Sequence, residues 1–397
     1  NGYLINTTSN TCTVTLPSAA SAGDQIVFVD YARTWASYAL ILDSNGLNFQ
    51  GNADTYTVDY DTAGQSLNIV YSDSTQGWLP VSDDAVADAP QAPAPLQRGI
   101  IFGGHDTKNI TNLISNTGVV SADVTAVSGV TGRHNLAGCS FAGDRAIFAY
   151  GFYDGGSNLS MSNLTNNSGV ISADVTGVGS ARRQPAALGY GYDKGIFGFG
   201  YISAPTNVSN LVNNLGVVAS DATGVGTAKT SGSGTTYGGD KGVFAWGSTY
   251  IDSTWARTNT RNLVSNVGIV ATTVSGAGTA RDATAATTYG SAGQAIFGYG
   301  GTAGSGVTDA ISVSNKVSNS GVIAADVTGV GTARFELMAT PYGGDKGAFV
   351  YGGYTDSEQT VQTISIKNLV SNTGVIGANV TGVGTVRKQG AGSGYSQ

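Results

Sequence analysis

The sequence predicts an all-β protein: a small N-terminal β-sandwich module, a short linker, and a six-bladed β-propeller closed by its own C-terminal strand. Three observations predict it. Aligned phenylalanines, Phe102, Phe148, Phe197, Phe244, Phe297 and Phe349, recur at intervals of 46 to 53 residues. A period of that length with several short strands per unit marks propeller blades. Each unit also carries an Asn-x-Gly signal, at Asn116/Gly118, Asn167/Gly169, Asn214/Gly216, Asn266/Gly268, Asn319/Gly321 and Asn372/Gly374. That signal suits a tight turn with glycine at positive φ. No stretch shows the 3.6-residue periodicity of a helix.

Composition narrows the function. Only 11% of the 397 residues are charged, Gly supplies 59, and the net charge is −7. Ser, Thr and Asn keep the surface wet. A nucleic-acid groove needs clustered Lys and Arg, so nucleic acid is not an expected partner. No run of 18 apolar residues occurs, so no membrane insertion is expected. With no Met at residue 1 and no signal-peptide pattern, the chain is expected to be a fragment or a processed product. Cys12 and Cys139 fall in different expected domains, which predicts two buried free thiols.

Residues 1–83 read as the first module. Strands are expected over Tyr3–Asn6, Thr11–Leu16, Gln25–Asp30, Ala39–Asp43, Ser66–Ser72 and Gly77–Val81. Thr11–Leu16 alternates polar and apolar residues as a half-buried strand does. Turn residues such as Ala22-Gly23-Asp24 and Asn45-Gly46 separate the runs, and the expected arrangement is antiparallel. The segments Ile5–Asn10, Thr13–Pro17, Ala22–Asp24 and Thr75–Trp78 resemble a module common in bacteriophage tail fibres and other virion appendages. The resemblance implies a structural segment that joins other virion proteins, often in a trimeric fibre, so a homotrimer is an expected assembly. Residues 84–95 hold three of the eight prolines among alanines. Such a segment favours extended conformations and reads as a linker.

Residues 96–397 read as the six blades. An inner strand rich in Ala, Gly, Ser and Thr follows each cation, as in Lys229–Tyr237 and Arg334–Tyr342. A Gly-Asp-Lys-type turn leads to a Phe-aromatic-Gly strand. The third strand ends at the Asn-x-Gly turn, and a Val-Ile-x-Ala-Asp-Val-Thr strand closes the unit. The first unit begins at its second strand, Gly99–Gly104, and the last ends with a surplus inner strand, Arg387–Tyr395. These halves complement one another, which predicts that the C-terminal strand pairs beside Gly99–Gly104 and removes two free edges. The blade pattern is similar to kelch repeats, although it lacks their later tryptophan. It is closer to the glycine-rich repeats of phage virion proteins, which implies a virion (extracellular) location.

No catalytic or metal constellation is legible, so no enzyme activity, cofactor or metal is expected. Asp123, Asp174, Asp221 and Asp326 recur at one repeat position and read as turn or strand-end residues bonding backbone N–H groups. Arg133, Arg182, Lys229, Arg281, Arg334 and Arg387 recur likewise and are expected to pair with acids or line one face. His105 and His134, the only histidines, have no metal-ligand spacing.

The units differ in the loops after the second strand: His105–Lys108, Phe152–Ser157, Tyr201–Thr206, Ser248–Thr260, Gly301–Ala310 and Gly353–Thr363. Loops on a rigid scaffold are where binding is usually built. The candidate ligand-binding residues are Phe152, Tyr153, Asp154, Tyr201, Tyr250, Asp252, Trp255, Tyr354 and Asp356. Aromatic plates beside carboxylates suit sugars, so host cell-surface polysaccharide is the expected ligand. The competing readings are a decoration or fibre protein without ligand and a secreted lectin-like protein.

Overall fold

The computed structural model describes residues 1–53, 58–83, 96–105, 109–302 and 309–396. The protein is all-β and divides into two compact units, Asn1–Gln91 and Ala92–Gln397. The linker expected over residues 84–95 lies outside the described residues. Among the described residues no helix is long and apolar enough to cross a membrane.

Among the described residues the first unit has seven strands: β1 (Gly2–Ile5), β2 (Cys12–Thr15), β3 (Gln25–Asp30), β4 (Leu40–Asp43), β5 (Val58–Tyr60), β6 (Ser66–Tyr71) and β7 (Trp78–Ser82). They form two sheets, β1-β3-β6-β7 and β2-β4-β5. Phe28, Trp35, Leu40, Leu67, Ile69 and Trp78 form the buried core. Asp30 ends β3 and accepts the N–H groups of Thr34, Trp35 and Gly64. Those bonds order the turn that places Trp35 in the core.

Two expectations need correction. The module is not purely antiparallel, because β1 pairs with β3, and β2 with β4, in parallel. The first four strands alternate between the sheets, and a strand that returns after such a crossover runs parallel to its predecessor. Polar–apolar alternation marks a strand but carries no information on its partner's direction. The expected list also omits β5, a three-residue strand.

The second unit contains six sheets built on one plan. In the first, Ala391–Tyr395, Arg98–Phe102, Ile110–Ile114 and Val124–Thr125 lie side by side. The second holds Ala137–Phe141, Arg145–Ala149 and Ser162–Leu164; the third Ala186–Tyr190, Lys194–Gly198 and Ser209–Val212. The fourth holds Ser233–Tyr237, Lys241–Ala245 and Arg261–Val264; the fifth Ala285–Tyr289, Gln294–Gly298 and Ser314–Val317. The sixth holds Met338–Tyr342, Lys346–Val350 and Lys367–Val370. All pairings within these sheets are antiparallel. The C-terminal strand pairs with the first repeat, Ala391 opposite Phe102 and Tyr395 opposite Arg98.

The first strands begin later than expected, at Ser233 rather than Lys229 and at Met338 rather than Arg334. Ser231 and Glu336 hold positive φ, 55° and 52°. Each turns its N–H to the preceding sheet, Ser231 to Gln184 and Glu336 to Ala283, so neither can extend its own ladder. The equivalent bonds run from Asn135 to Gln389, Gln184 to Asn135, Ala283 to Ser231 and Gln389 to Glu336. They pass through all six sheets and return to the start. A second such series joins the turns between first and second strands. Ala142, Gly191, Gly238, Gly290, Gly343 and Ser396 donate to carbonyls of Asp193, Asp240, Gly293, Asp345, Gln97 and Asp144.

Small residues on the first strands permit this closeness. Each first strand packs beside the next, and Ala391–Tyr395 lies between Met338–Tyr342 and Ala137–Phe141. A Cβ on Gly392 would stand 2.2 Å from the Ala339 carbonyl oxygen. The six repeated phenylalanines are fully buried. Most pack on an aromatic of the preceding sheet, as Tyr150–Phe197, Phe199–Phe244, Trp246–Phe297 and Tyr299–Phe349 do at 4.7–5.4 Å.

The expected fourth strand is mostly absent as a ladder. Only Val124–Thr125 forms a strand, while later units make single bridges such as Thr165–Ile171 and Ser162–Val175. Side chains replace the ladder: Leu164 N–H donates to Ser172 Oγ, and Asn163 Nδ2 donates to Ser172 O at 3.1 Å. The six Asn-x-Gly glycines do adopt positive φ, between 70° and 82°.

The recurring cations do not line a face, and two pair with the recurring aspartates as expected: Arg281 Nη1 lies 3.6 Å from Asp326 Oδ1 and Arg387 Nη1 3.8 Å from Asp123 Oδ1. Arg133, Arg182, Arg281, Arg334 and Arg387 are fully buried. Four of them stack on the aromatic that follows the preceding sheet's second strand, at 3.8–4.4 Å from Tyr150, Trp246, Tyr299 and Tyr351. Their Nε–H groups donate to backbone carbonyls, for example Arg182 to Phe199 O at 2.9 Å and Arg334 to Tyr351 O at 2.8 Å. Arg182 and Arg281 also donate to buried Asn210 and Asn315. The recurring aspartates bond backbone N–H groups as expected. Asp174 accepts from Thr131, Asp221 from Ser180, Asp326 from Thr279 and Asp123 from Thr385. Each thereby holds the connection that leads into its own sheet.

Candidate functional site

Three of the variable segments are hairpins rather than irregular loops. Phe152–Tyr153 pairs with Ser157–Asn158, Ser248–Ile251 with Thr254–Arg257, and Gly353–Thr355 with Val361–Thr363. Asp252 and Ser253 have φ of 49° and 62°, as a two-residue type I′ turn requires. Residues 106–108 and 303–308, parts of two further loops, lie outside the described residues.

The fold brings most of the candidate aromatics into one run. Tyr250 lies 5.1 Å from Trp255, and Trp255 stacks on Tyr201 at 6.2 Å with 25° between planes. The Arg183 guanidinium then covers both Tyr201, at 4.6 Å, and Phe152, at 5.1 Å. Phe152 meets His134 edge-on at 5.6 Å. The run thus crosses the second, third and fourth sheets. Tyr153, Tyr250 and Trp255 are close to half exposed, at 48%, 46% and 46%. A planar cation between two rings is a favourable and rigid arrangement.

The hairpins that carry these rings are fixed at their bases. Tyr201 bridges Arg183, and Phe152 bridges His134, by paired backbone bonds. Asn158 Nδ2 reaches across to Ile202 O at 2.9 Å. Arg257 Nε lies 3.1 Å from Asp282 Oδ2, and Ser248 Oγ donates to the same carboxylate at 2.5 Å. Burial raises the Asp282 pKa, against the opposing pull of Ser248 and Arg257.

The carboxylates do not share one role. Asp154 accepts from His134 Nε2 at 2.9 Å. Asp252 is a hairpin-turn residue. Asp356 accepts from Thr360 N–H, Gln362 Nε2 and Glu358 N–H at 2.8–3.0 Å. The Thr360 bond first, then Gln362 and Glu358, holds its carboxyl below the usual range. Asp356 therefore secures its own hairpin. Tyr354 pairs with Gln362 across that hairpin, and among the described residues no ring contact joins it to the run.

Two residues of this region escape sequence reasoning. Arg183 follows the recurring Arg182, and only the doubled arginine hints at a second role. His134 follows Arg133, and its Asp154 partner lies twenty residues on. No metal-ligand spacing is legible, yet ligand atoms of His105, His134 and Asp154 all lie within 4.8 Å of one another.

Two other cavities are less suited to specific recognition. One of about 660 Å³ in the first unit is lined by Tyr3, Ile5, Leu16, Phe28 and Trp78, with Asp24 as its one acidic side chain. One of about 400 Å³ lies at the turn end of the six sheets, among Tyr190, Tyr192, Thr236, Ser291 and glycines. Its lining carries no charged side chain. No protein-family model matches the chain, and a search of curated proteins finds none similar to it.

Proposed function

We propose that the second unit is a six-bladed, kelch-like propeller, that the first is a β-sandwich attachment module, and that the protein is a virion appendage component recognising host-surface polysaccharide. The propeller reading rests on the two series of hydrogen bonds that pass through six similar sheets and return to the first. The virion reading rests on the resemblance of both sequence regions to phage appendage proteins. One observation carries the ligand class: the run Tyr250–Trp255–Tyr201–Arg183–Phe152, most exposed at Tyr250 and Trp255 and braced by backbone bridges. Aromatic faces offer flat apolar contact to the C–H faces of sugar rings, and their edges and the guanidinium offer polar contact to hydroxyls. Rigid rings lose little conformational entropy on binding.

The test is binding of the full chain to a panel of bacterial cells and their purified surface polysaccharides. Saturable binding to a few strains, competed by their own polysaccharide, is the expected result. Trp255→Ala and Tyr153→Ala should each weaken it about tenfold, or about 1.4 kcal/mol, with unchanged thermal unfolding. A trimerised fusion supplies the avidity that a single copy lacks. If that fusion binds no strain, the recognition reading fails and a decoration role without ligand replaces it.

A further inference from the structure

We propose that His105, His134 and Asp154 form a binding site for one divalent transition-metal ion of the zinc class, bridging the first and second sheets. This inference does not depend on the polysaccharide reading. The chain has two histidines in 397 residues, and the fold brings both to one point. Their rings lie 5.0 Å apart at 66° to one another. His134 Nε2 is 2.9 Å from Asp154 Oδ1, and the ligand atoms of all three residues fall within 4.8 Å.

These residues come from three segments. His105 follows Arg98–Phe102 of the first sheet and donates its N–H to Lys388 O at 3.0 Å. His134 precedes Ala137–Phe141 of the second sheet. Asp154 sits in the turn of the Phe152–Asn158 hairpin. An ion held by all three would tie that hairpin to the neighbouring sheet.

The donor set selects the metal. Two imidazole nitrogens and one carboxylate oxygen suit zinc, cobalt or nickel, whereas calcium and magnesium require mainly oxygen ligands. Ligand atoms around a tetrahedral zinc stand roughly 3.3 Å apart, from bonds of about 2.0–2.2 Å. The His134–Asp154 pair, at 2.9 Å, lies within about 0.4 Å of that spacing. His105 is exposed, so rotation of its side chain can close the third side.

His134 is the fixed member of the trio. It is 6% exposed, bridged to Phe152 through the backbone, and its Nδ1 lies 3.0 Å from the Asn135 amide. With metal on Nε2, Nδ1 keeps its proton and needs an acceptor, which the Asn135 side-chain oxygen supplies when the amide is turned. Three protein ligands leave at least one coordination position for water or an oxygen ligand.

The test uses the full chain stripped with chelator, then titrated with Co²⁺ and Zn²⁺ by calorimetry and visible absorption. The expected result is one equivalent bound at about micromolar affinity or tighter, with cobalt d–d bands that zinc abolishes. His105→Ala and Asp154→Asn should each weaken binding by at least about tenfold and leave the melting of the metal-free chain unchanged. Asn135→Asp should tighten binding, because a carboxylate is the stronger acceptor for Nδ1–H. Absence of binding at about 100 µM metal, or affinity unchanged from wild type in both ligand variants, overturns the proposal and leaves His134–Asp154 as a plain hydrogen-bonded pair.

Discussion

Lys229 stands where the other five sheets carry arginine, and Lys229→Arg should stabilise the second unit. The five arginines each place Nε–H on a backbone carbonyl at 2.7–3.0 Å, and Nη1–H on a second carbonyl two residues back at 3.1–3.3 Å. Among the described bonds the Lys229 ammonium donates once, to Asn262 Oδ1 at 3.0 Å, and it lies 4.6 Å from the Phe199 ring. The fork of an arginine would add bonds to Trp246 O and Thr227 O. At about 0.5–1.5 kcal/mol net per bond, the gain is about 1–3 kcal/mol. The fourth sheet also has Thr273 where four others have aspartate, so no carboxylate faces Lys229 there. That does not forbid arginine, because Arg334 is buried in the sixth sheet beside Asn379 rather than an aspartate.

The same substitution should change the pH dependence. Burial pushes the Lys229 pKa down to about 7, whereas an unfolded lysine titrates near about 10.4. Between those values the unfolded chain binds more protons than the folded one, so stability rises with pH by up to about 1.4 kcal/mol per unit. Below about pH 7 the folded state bears the whole cost of a buried charge. Arginine stays charged throughout and abolishes that rise. Thermal unfolding of the full chain and of the variant, from pH 6 to 10, measures both effects. The expected gain at pH 7 is roughly 2–6 °C in the Tm of the second unit. A lower Tm, or an unaltered pH slope, would refute the reasoning.

Deleting residues 386–397 removes Arg387 and the strand paired with Arg98–Phe102, and the second unit should lose its cooperative melt; an unchanged melt would sink the closure. Asp221→Ala removes the acceptor for Ser180 N–H, Ser180 Oγ and Asn210 Nδ2 and should cost about 1–3 kcal/mol in denaturant titration. Burial opposes ionisation of Asp221, but its bonds from Ser180 and Asn210 and the nearby Arg182 outweigh it and hold the pKa low. Its contribution is therefore present above about pH 4 and lost as pH falls through the folded value, so the variant should lose less stability than wild type on acidification. Phe349→Ala empties a fully buried site against Tyr299 and should cost about 3–5 kcal/mol, read from the same titration.

Repetition made much of the second unit legible. Six copies of one phrase expose which positions are constant, and constant glycines, phenylalanines and arginines report turns, core and buried polar sites. The positive-φ glycines and the pairing of the C-terminal strand followed directly from that comparison. Cys12 and Cys139 are both free and fall in separate units; Cys139 is buried as expected, whereas Cys12, on the half-buried β2, is only partly so. The first unit was less legible, because strand patterns in a single copy identify strands and not their partners; hence the parallel β1–β3 and β2–β4 pairs. The candidate site was legible in part. Aromatic content in variable segments located Tyr250, Trp255, Tyr201 and Phe152, but not the contacts that join them across three sheets.

The sequence by itself determined that this chain is β throughout, that six similar units follow a distinct first module, and where the turns fall. These are local properties, set by side-chain period and backbone freedom within a few residues. Only the tertiary structure decided which distant groups meet. Arg183 lies between Phe152 and Tyr201, and Asp123 accepts from Thr385 across 262 positions. His105 meets His134 and Asp154. Such meetings depend on how sheets pack, and packing is governed by the summed contacts of many residues rather than by any spacing along the chain.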